Sequence, residues 1–225
     1  METIVHQTQH AGWLSPAAYL SLAATAVSCG ALFMLHLASQ EVAPSWRMVS
    51  EYANGQHKWL LTVVFIAWAL SSFALIAALW PLRATTLGMI GLIFLFIGGI
   101  GQTMGALFDI NHKLHGPAAM FGIPSLCIAA VLISLAMARR PDISAPPLWA
   151  AHLPWVTFAL MLGTFALFFS ALKAAGVDMS SQSGPLKELP AGVSGYVGWA
   201  NRALFAASYL WAVLTSVAVI RSTTG

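Results

Sequence analysis

The chain is 225 residues long, 59% hydrophobic and only 8% charged, with a mean hydropathy of +0.78. A soluble domain could not cover its surface with polar groups at this composition, so the chain is predicted to lie in a membrane. Its formal net charge of +3 comes from basic residues spread over many loops. No run of them suits phosphates, so nucleic acid is not an expected partner.

Long runs without Asp, Glu, Lys or Arg divide the chain into six segments, each at least 18 residues long. A helix that rises about 1.5 Å per residue needs roughly 20 residues to cross a hydrocarbon core. The runs lack the two-residue alternation of a membrane barrel, and helices satisfy their own backbone groups in lipid. The predicted fold is therefore all-α, a single domain over 1–225 that forms a polytopic bundle of six transmembrane helices. The spans are expected near 17–37, 58–80, 86–108, 117–138, 149–172 and 201–221.

The first span follows the segment METIVHQTQHAGWLSP, which contains no Lys or Arg. A cleavable secretory signal begins with a basic region, so this span is predicted to be permanent. Cys29 and Cys127 both fall inside apolar spans. A small buried apolar role is expected for them, rather than a disulfide or a metal site.

Six spans place both termini on one side of the membrane, together with the short connections 81–85 and 139–148. Four basic residues lie on that side and six on the other. Cytoplasmic loops carry an excess of Lys and Arg, so this count taken alone places the termini outside. Lys58, Lys113 and Arg202 belong to a polar cluster that could explain them without reference to insertion. Leaving them out reverses the count and favours cytoplasmic termini.

The connection between the third and fourth spans reads FDINHKLHG and concentrates titratable side chains. Asp109 lies at the end of the third helix, and one further helical turn would place it on the same face as His112. His115 precedes Gly116 and Pro117, which are expected to start the fourth helix as its cap and its first residue.

Further polar residues are predicted to reach the same membrane face. Ionisable groups at membrane depth are costly and usually meet one another or water, so their convergence indicates a functional site. We call this set the polar rim and expect its members to surround one cavity. Its candidate catalytic residues are His57, Asp109, His112 and His115, and its candidate ligand-binding residues are Ser50, Tyr52, Asn54, Asn201 and Arg202.

Several chemical interpretations of the polar rim are open. His57, Asp109 and His115 offer the imidazole and carboxylate ligands that zinc takes, although no compact ligand motif supports a metal site. Without a metal, Asp109 could orient a histidine for acid and base chemistry or proton relay. In a structural interpretation, Asp109 pairs with Arg202 or Lys113, and the histidines cap helix ends and contact headgroups. Haem held by His36 and His115 is disfavoured, because two-haem cytochromes need histidine pairs on both faces.

The third span contains Gly101 and Gly105 in a GxxxG spacing, with Gln102 between them. Small residues at this spacing let helices approach closely, so helix packing is the favoured interpretation. A glycine-lined pore or lipid crevice is the alternative. Gln102 is expected to form a hydrogen bond to a neighbouring helix.

The order SEYANGQHKWLLTVVFIAW, GALFDINHKLHGPAAMFGI and GYVGWANRALFAASYLWAVLTS resembles a known family. It is similar to the six-span bacterial and archaeal membrane proteins grouped as the domain-of-unknown-function family numbered 998. The most specific part is Asp109, the dipeptide His115-Gly116, and the later Arg202. The resemblance implies a compact six-helix bundle in an inner membrane and supplies no reaction.

The expected function is the binding of a lipid or small amphipathic ligand at the polar rim, with membrane lipids as partners. One alternative is a metal-dependent hydrolase in which the rim histidines and Asp109 activate water against a lipid and Arg202 neutralises substrate charge. The other is a pH-sensitive transporter or sensor. The middle of the membrane is nearly free of charge, which counts against ion-coupled transport. Oligomeric state has no signal in the sequence.

Overall fold

Six long α-helices dominate the computed structural model, which describes residues 14–177, 186 and 188–224. All six are long and apolar enough to cross a membrane, so the predicted all-α fold with six spans is confirmed in these residues. The helices are α1 (Leu14–Ala38), α2 (Lys58–Ala78), α3 (Thr86–Leu107), α4 (His115–Ala138), α5 (Leu148–Ala174) and α6 (Val197–Thr224). Two 3₁₀ helices, Val49–Asn54 and Trp80–Ala84, precede α2 and α3. Most of the segment 1–16 and part of the connection 173–200 lie outside the described residues.

The connection between α3 and α4 differs from the prediction at both ends. α3 ends at Leu107 and therefore does not carry Asp109 and His112 on a shared helical face. α4 begins at His115, ahead of Pro117, because a turn places the His115 amide 3.0 Å from the His112 carbonyl. Proline is still acceptable there, since the first amides of a helix have no intrahelical partner.

The helices form a ring in which each packs against its neighbours in sequence, and α6 returns to pack against α1. Contacts across the ring, between α2 and α6 or between α4 and α6, are few. α5 is poorly covered, with 17% of its span buried against 61% in α6. The ring therefore has room for an interior space beside α6, and α5 faces mostly lipid.

Hydroxyl groups join α1, α2 and α6 in the half of the bundle nearer the termini. The Ser71 hydroxyl lies 3.0 Å from that of Ser21 and 2.7 Å from that of Thr25. Ser216 of α6 donates to the Ser21 hydroxyl at 3.2 Å. Lipid supplies no hydrophobic force between helices, so these hydrogen bonds and close packing stabilise their association.

α3 and α4 meet through glycines. An added Cβ at Gly101 would lie 2.5 Å from the Cα of Gly122, and one at Gly105 would lie 3.1 Å from the Phe65 ring. The GxxxG spacing therefore serves helix packing, as predicted. The expected interhelical contact of Gln102 is also present, because its side chain lies 2.8 Å from the Ser72 hydroxyl of α2.

Arg140 ties together the two short connections on the terminal side. Its guanidinium donates to both carboxylate oxygens of Asp142, at 3.0 and 2.5 Å, and to the Pro81 carbonyl at 3.2 Å. The hydrogen bonds from Arg140 lower the pKa of Asp142 below its usual value. An exposed ion pair thus fastens this face of the bundle.

The glycine contact predicts a position-specific loss of stability. Gly101→Ala should lower the free energy of unfolding by about 1–3 kcal/mol, because the new methyl group collides with the α4 backbone. The matched control is Gly163→Ala in α5, where an added Cβ meets no atom within 4 Å. Reversible unfolding in detergent micelles measures both. Equal stability of the two variants would show that the close approach of α3 and α4 does not hold.

Candidate functional site

The guanidinium of Arg202 is buried near the start of α6, on the face opposite the termini, with 8% of the residue exposed. Its Nη1 atom donates to the carbonyl oxygens of Pro44, Arg47 and Gly198 at 3.1, 2.7 and 3.0 Å. Two of these carbonyls belong to the connection before α2, and the third belongs to the first turn of α6. Arg202 therefore fastens that connection onto the helix.

Two side chains complete the surroundings of Arg202. Its Nη2 donates to the Tyr52 hydroxyl at 3.2 Å, and its Nε donates to His36 Nε2 at 2.5 Å. Because this His36 nitrogen is an acceptor, the proton lies on Nδ1, which donates to the Leu32 carbonyl at 2.6 Å. Both ring nitrogens of His36 are thus engaged, and neither is free to bind haem iron.

The structural interpretation of the rim paired Arg202 with Asp109, but the structure does not contain this ion pair. No carboxylate in the described ranges 14–177, 186 and 188–224 forms an ion pair with Arg202, and Glu51 pairs instead with Arg47 at 2.8 Å. A buried cation is tolerated only where its donors are satisfied. Backbone carbonyls fill this role, and their partial charges offset that of the guanidinium.

The connection lies directly against the start of α6. The backbone amide of Val49 donates to Asn201 Oδ1 at 2.9 Å, and Asn201 Nδ2 donates to the Met161 sulfur of α5 at 3.3 Å. An added Cβ at Gly198 would lie 2.7 Å from the Arg47 carbonyl oxygen. Glycine is therefore required where the chain crosses α6, and Asn201 joins the 3₁₀ helix Val49–Asn54 to α5 and α6.

Asp109 and His112 organise their own exposed turn. Asp109 Oδ1 accepts a hydrogen bond from the Asn111 amide at 2.9 Å. His112 Nδ1 accepts one from the Leu114 amide at 3.2 Å, and its ring stacks on Phe108 with centroids 4.5 Å apart. Both side chains are exposed to solvent, so their local contacts are those of a structured loop.

Asn54, His57 and His115 of the polar rim also have polar contacts with nearby connections or helix ends. Asn111 Nδ2 donates to Asn54 Oδ1 at 3.0 Å, which links the connections before α2 and before α4. His57 Nδ1 lies 3.3 Å from the Ser39 hydroxyl. His115 Nδ1 lies 2.9 Å from the Phe108 carbonyl oxygen.

The predicted zinc ligands are not gathered into a metal site. Within the part of the chain that the structure describes, no group of three His, Cys, Asp or Glu side chains could hold a metal ion. His57, Asp109 and His115 all belong to that part. Each of them instead bonds to a neighbouring loop group, so the metal hypothesis gains no support from the geometry.

An apolar chamber of about 350 Å³ lies inside the ring, between α2, α3, α4, α5 and α6. Its volume falls in the range of roughly 300–1,000 Å³ that is typical of small-molecule sites. The apolar wall includes Phe65, Trp68, Gly98, Gly101, Gly105, Ala118, Ala119, Gly122, Leu126, Met161, Leu204 and Phe205. Of the polar rim, Ser50, His115 and Asn201 also line the chamber. The other members of the rim do not line this chamber.

The chamber reaches the lipid-facing surface between α4 and α5. Met120 of α4 lines the chamber and is 69% exposed, and on α5 the same holds for Leu162 (48%) and Phe165 (38%). Residues that belong both to the wall and to the outer surface mark an opening. The chamber is therefore accessible from the side as well as bounded by the rim at one end.

Aromatic rings close the inner side of the chamber, where α2 faces α6. Trp68 and Phe205 lie with centroids 4.7 Å apart, and Phe65 lies 6.1 Å from Phe205. Tyr209 packs beyond them, 5.4 Å from Trp68, and lies 2.7 Å from the Ser28 hydroxyl of α1. This barrier separates the chamber from α1.

Sequence reasoning missed the chamber because its wall is made of residues that are ordinary in any transmembrane helix. The glycine stripe of α3 was the sequence signal for the chamber and the basis of the alternative of a glycine-lined pore or lipid crevice. Gly98, Gly101 and Gly105 all line the chamber. The same stripe therefore packs against α4 and leaves space beside the contact. A structural role for Arg202 was among the interpretations, but with Asp109 as its partner, because the backbone carbonyls that it actually contacts give no signal in the sequence.

These features define the class of the protein, a multi-pass membrane protein built as a ring of helices around an apolar chamber. Within that class, the chain belongs to the family described as "Protein of unknown function (DUF998)", which it matches over residues 22–218. The family resemblance found in the sequence is thereby confirmed. No curated protein and no solved structure matches the chain.

The contacts of Arg202 predict that lysine cannot replace it. Arg202→Lys should lower the free energy of unfolding by about 3 kcal/mol, because one ammonium cannot reach the carbonyls, His36 and Tyr52 together. The matched control is Arg83→Lys, an exposed arginine whose guanidinium donates to the Trp80 carbonyl at 3.3 Å and lies 5.0 Å from the centroid of the Trp80 ring. Thermal unfolding in detergent compares them, and hydrogen exchange of 44–52 should rise only in the Arg202 variant. Unchanged exchange there would contradict the fastening role.

Proposed function

We propose that this protein binds an amphipathic lipid within the membrane, with the apolar chain of the ligand in the chamber and its head at the polar rim. The observation that carries the proposal is the chamber itself. Its wall is almost wholly apolar, and three of its polar side chains, Ser50, His115 and Asn201, come from the elements at one membrane face. An amphiphile has the same division between chain and head.

The lateral opening supports a lipid in preference to a water-soluble ligand. A molecule dissolved in the bilayer can reach the chamber between α4 and α5, where Met120 and Leu162 face lipid. It need not leave the membrane or cross the loops held by Arg202. Membrane lipids are therefore the partners that we propose.

We do not extend the proposal to the hydrolase or to the transporter. Of the four residues suggested for activating water, His115 lines the chamber, but His57, Asp109 and His112 lie outside its wall. In the part of the chain that the structure describes, no Asp, Glu, Lys or Arg lines the chamber, whereas ion-coupled transport usually places ionisable groups at its binding site. The catalytic assignments stay predictions from the sequence.

We propose an inner-membrane location, in line with the family resemblance. The side on which the termini lie depends on which basic residues are left out of the loop count. The buried contacts of Arg202 explain it without reference to insertion, whereas Lys58 and Lys113 are exposed and stay in the count. Four basic residues on the terminal side then stand against five on the other, which favours termini outside and not the cytoplasmic termini expected from the sequence. Labelling of single cysteines in the connections 81–85 and 109–114 from either side of sealed vesicles tests the orientation.

The chamber is tested with lipids that carry one photoreactive diazirine chain. Three heads on the same chain are used: a monoacylglycerol, a methyl ester and a lysophosphatidic acid. With protein in phosphatidylcholine nanodiscs, at least one probe should label 116–126 of α4 and 161–165 of α5, where the chamber is lined. Ala119→Phe, which fills the chamber, should lower this labelling about tenfold.

The matched control places the same side chain on the outer surface. Ala26 is exposed on α1, away from the chamber wall, so Ala26→Phe should leave the labelling unchanged. Peptide mapping by mass spectrometry reads out both variants. If none of the probes labels the chamber, or if Ala119→Phe changes nothing, the proposed function is wrong.

A further inference from the structure

We infer that the ligand is a single-chain amphiphile with an uncharged head that donates a hydrogen bond from a hydroxyl group, such as a monoacylglycerol or a long-chain alcohol. This inference rests on the proposed function and narrows the class of ligand. It comes from the charges, the free polar atoms and the dimensions of the chamber.

Charge is the first restriction. Among the described residues, the wall contains no Asp, Glu, Lys or Arg, so neither an anionic nor a cationic head would meet an opposite charge from these side chains. Arg202 directly follows Asn201 of the wall in sequence and could have supplied a positive charge. Its guanidinium instead donates its hydrogen bonds to carbonyls, His36 and Tyr52. A charged group without a partner is strongly disfavoured in an apolar site. An uncharged head avoids that cost.

The deeper polar side chains of the wall are already occupied. The Gln102 amide lies 2.8 Å from the Ser72 hydroxyl, and Ser208 donates to the Leu204 carbonyl at 2.8 Å. Asn201 uses its oxygen for the Val49 amide at 2.9 Å and its nitrogen for the Met161 sulfur at 3.3 Å. These groups have no need of a ligand.

Two polar groups at the rim end are left with bonding capacity. The Ser50 hydroxyl makes no hydrogen bond to any of the described residues, and it can both donate and accept. His115 lies with Nδ1 2.9 Å from the Phe108 carbonyl oxygen. A carbonyl can only accept, so the proton is on Nδ1 and Nε2 is an acceptor. A ligand hydroxyl is suited to both, because it can donate to the imidazole and accept from the serine.

The dimensions fit one chain. From His115 to Leu126 the wall follows α4 for about 16 Å, at about 1.5 Å per residue, which is close to half of a hydrocarbon core of about 30 Å. The volume of about 350 Å³ is near the lower limit for small-molecule sites. A single chain of one leaflet's length therefore matches the chamber better than a two-chain lipid.

The three photoreactive probes that share one chain test the head directly. The monoacylglycerol should label the chamber about three- to tenfold more than the methyl ester, because the methyl ester has no hydrogen-bond donor. This difference is the effect expected of one net hydrogen bond. The lysophosphatidic acid should label least. Equal or stronger labelling by the lysophosphatidic acid would overturn the inference while leaving the proposed function intact.

A serine pair supplies the matched variants. Ser50→Ala should reduce labelling by the monoacylglycerol towards that of the methyl ester and leave the methyl ester itself unchanged. Ser45→Ala alters a serine of the same connection that does not line the chamber, and it should change neither probe. If Ser50→Ala lowers both probes equally, or lowers neither, the hydroxyl contact is refuted. Absence of chamber labelling by all three probes would refute the proposed function as well.

Discussion

The fold depends on how a single guanidinium is accommodated at the edge of the membrane. Arg202 draws together two stretches that are far apart in sequence, since its contact with His36 joins positions separated by 166 residues. Its donors also fix the backbone at Pro44 and Arg47, which sets the path of the connection before α2. Ser50 of the chamber wall follows in that connection. The placement of the rim end of the chamber is thus a consequence of satisfying one buried cation.

The chamber exists because close packing in one place leaves space in another. α3 and α4 touch at Gly101 and Gly122, where there are no side chains to fill the adjoining volume. On the other side, Trp68 and Phe205 pack against each other in a tilted arrangement across the ring and separate α1 from the chamber. Elsewhere the helices are joined by paired hydroxyl groups such as Ser21 and Ser71. The cavity is therefore bounded by specific contacts and lies on the side of the bundle away from α1.

The sequence predicts the spans well because charge spacing reflects a strong physical constraint, the cost of a charge in lipid. It also identifies Gln102 and the glycines of α3 as packing residues, since their types restrict what they can do. The polar rim was only partly predicted. Asp109 and His112 are satisfied by amides within their own turn, and residue type does not reveal that choice. The chamber was not predicted, because residues such as Leu204 look the same whether they face a void or a neighbouring helix.

The absence of a carboxylate beside Arg202, among the described residues, has a consequence for the conditions under which the bundle holds its shape. Dissolved ions weaken exposed ion pairs, and the Arg140 to Asp142 bridge on the terminal face is of that kind. Backbone oxygens around a buried guanidinium offer no countercharge for ions to screen. The two faces of the protein should therefore differ in their response to ionic strength. High salt should loosen the loops on the terminal face, whereas the connection held by Arg202 at the chamber end should stay in place.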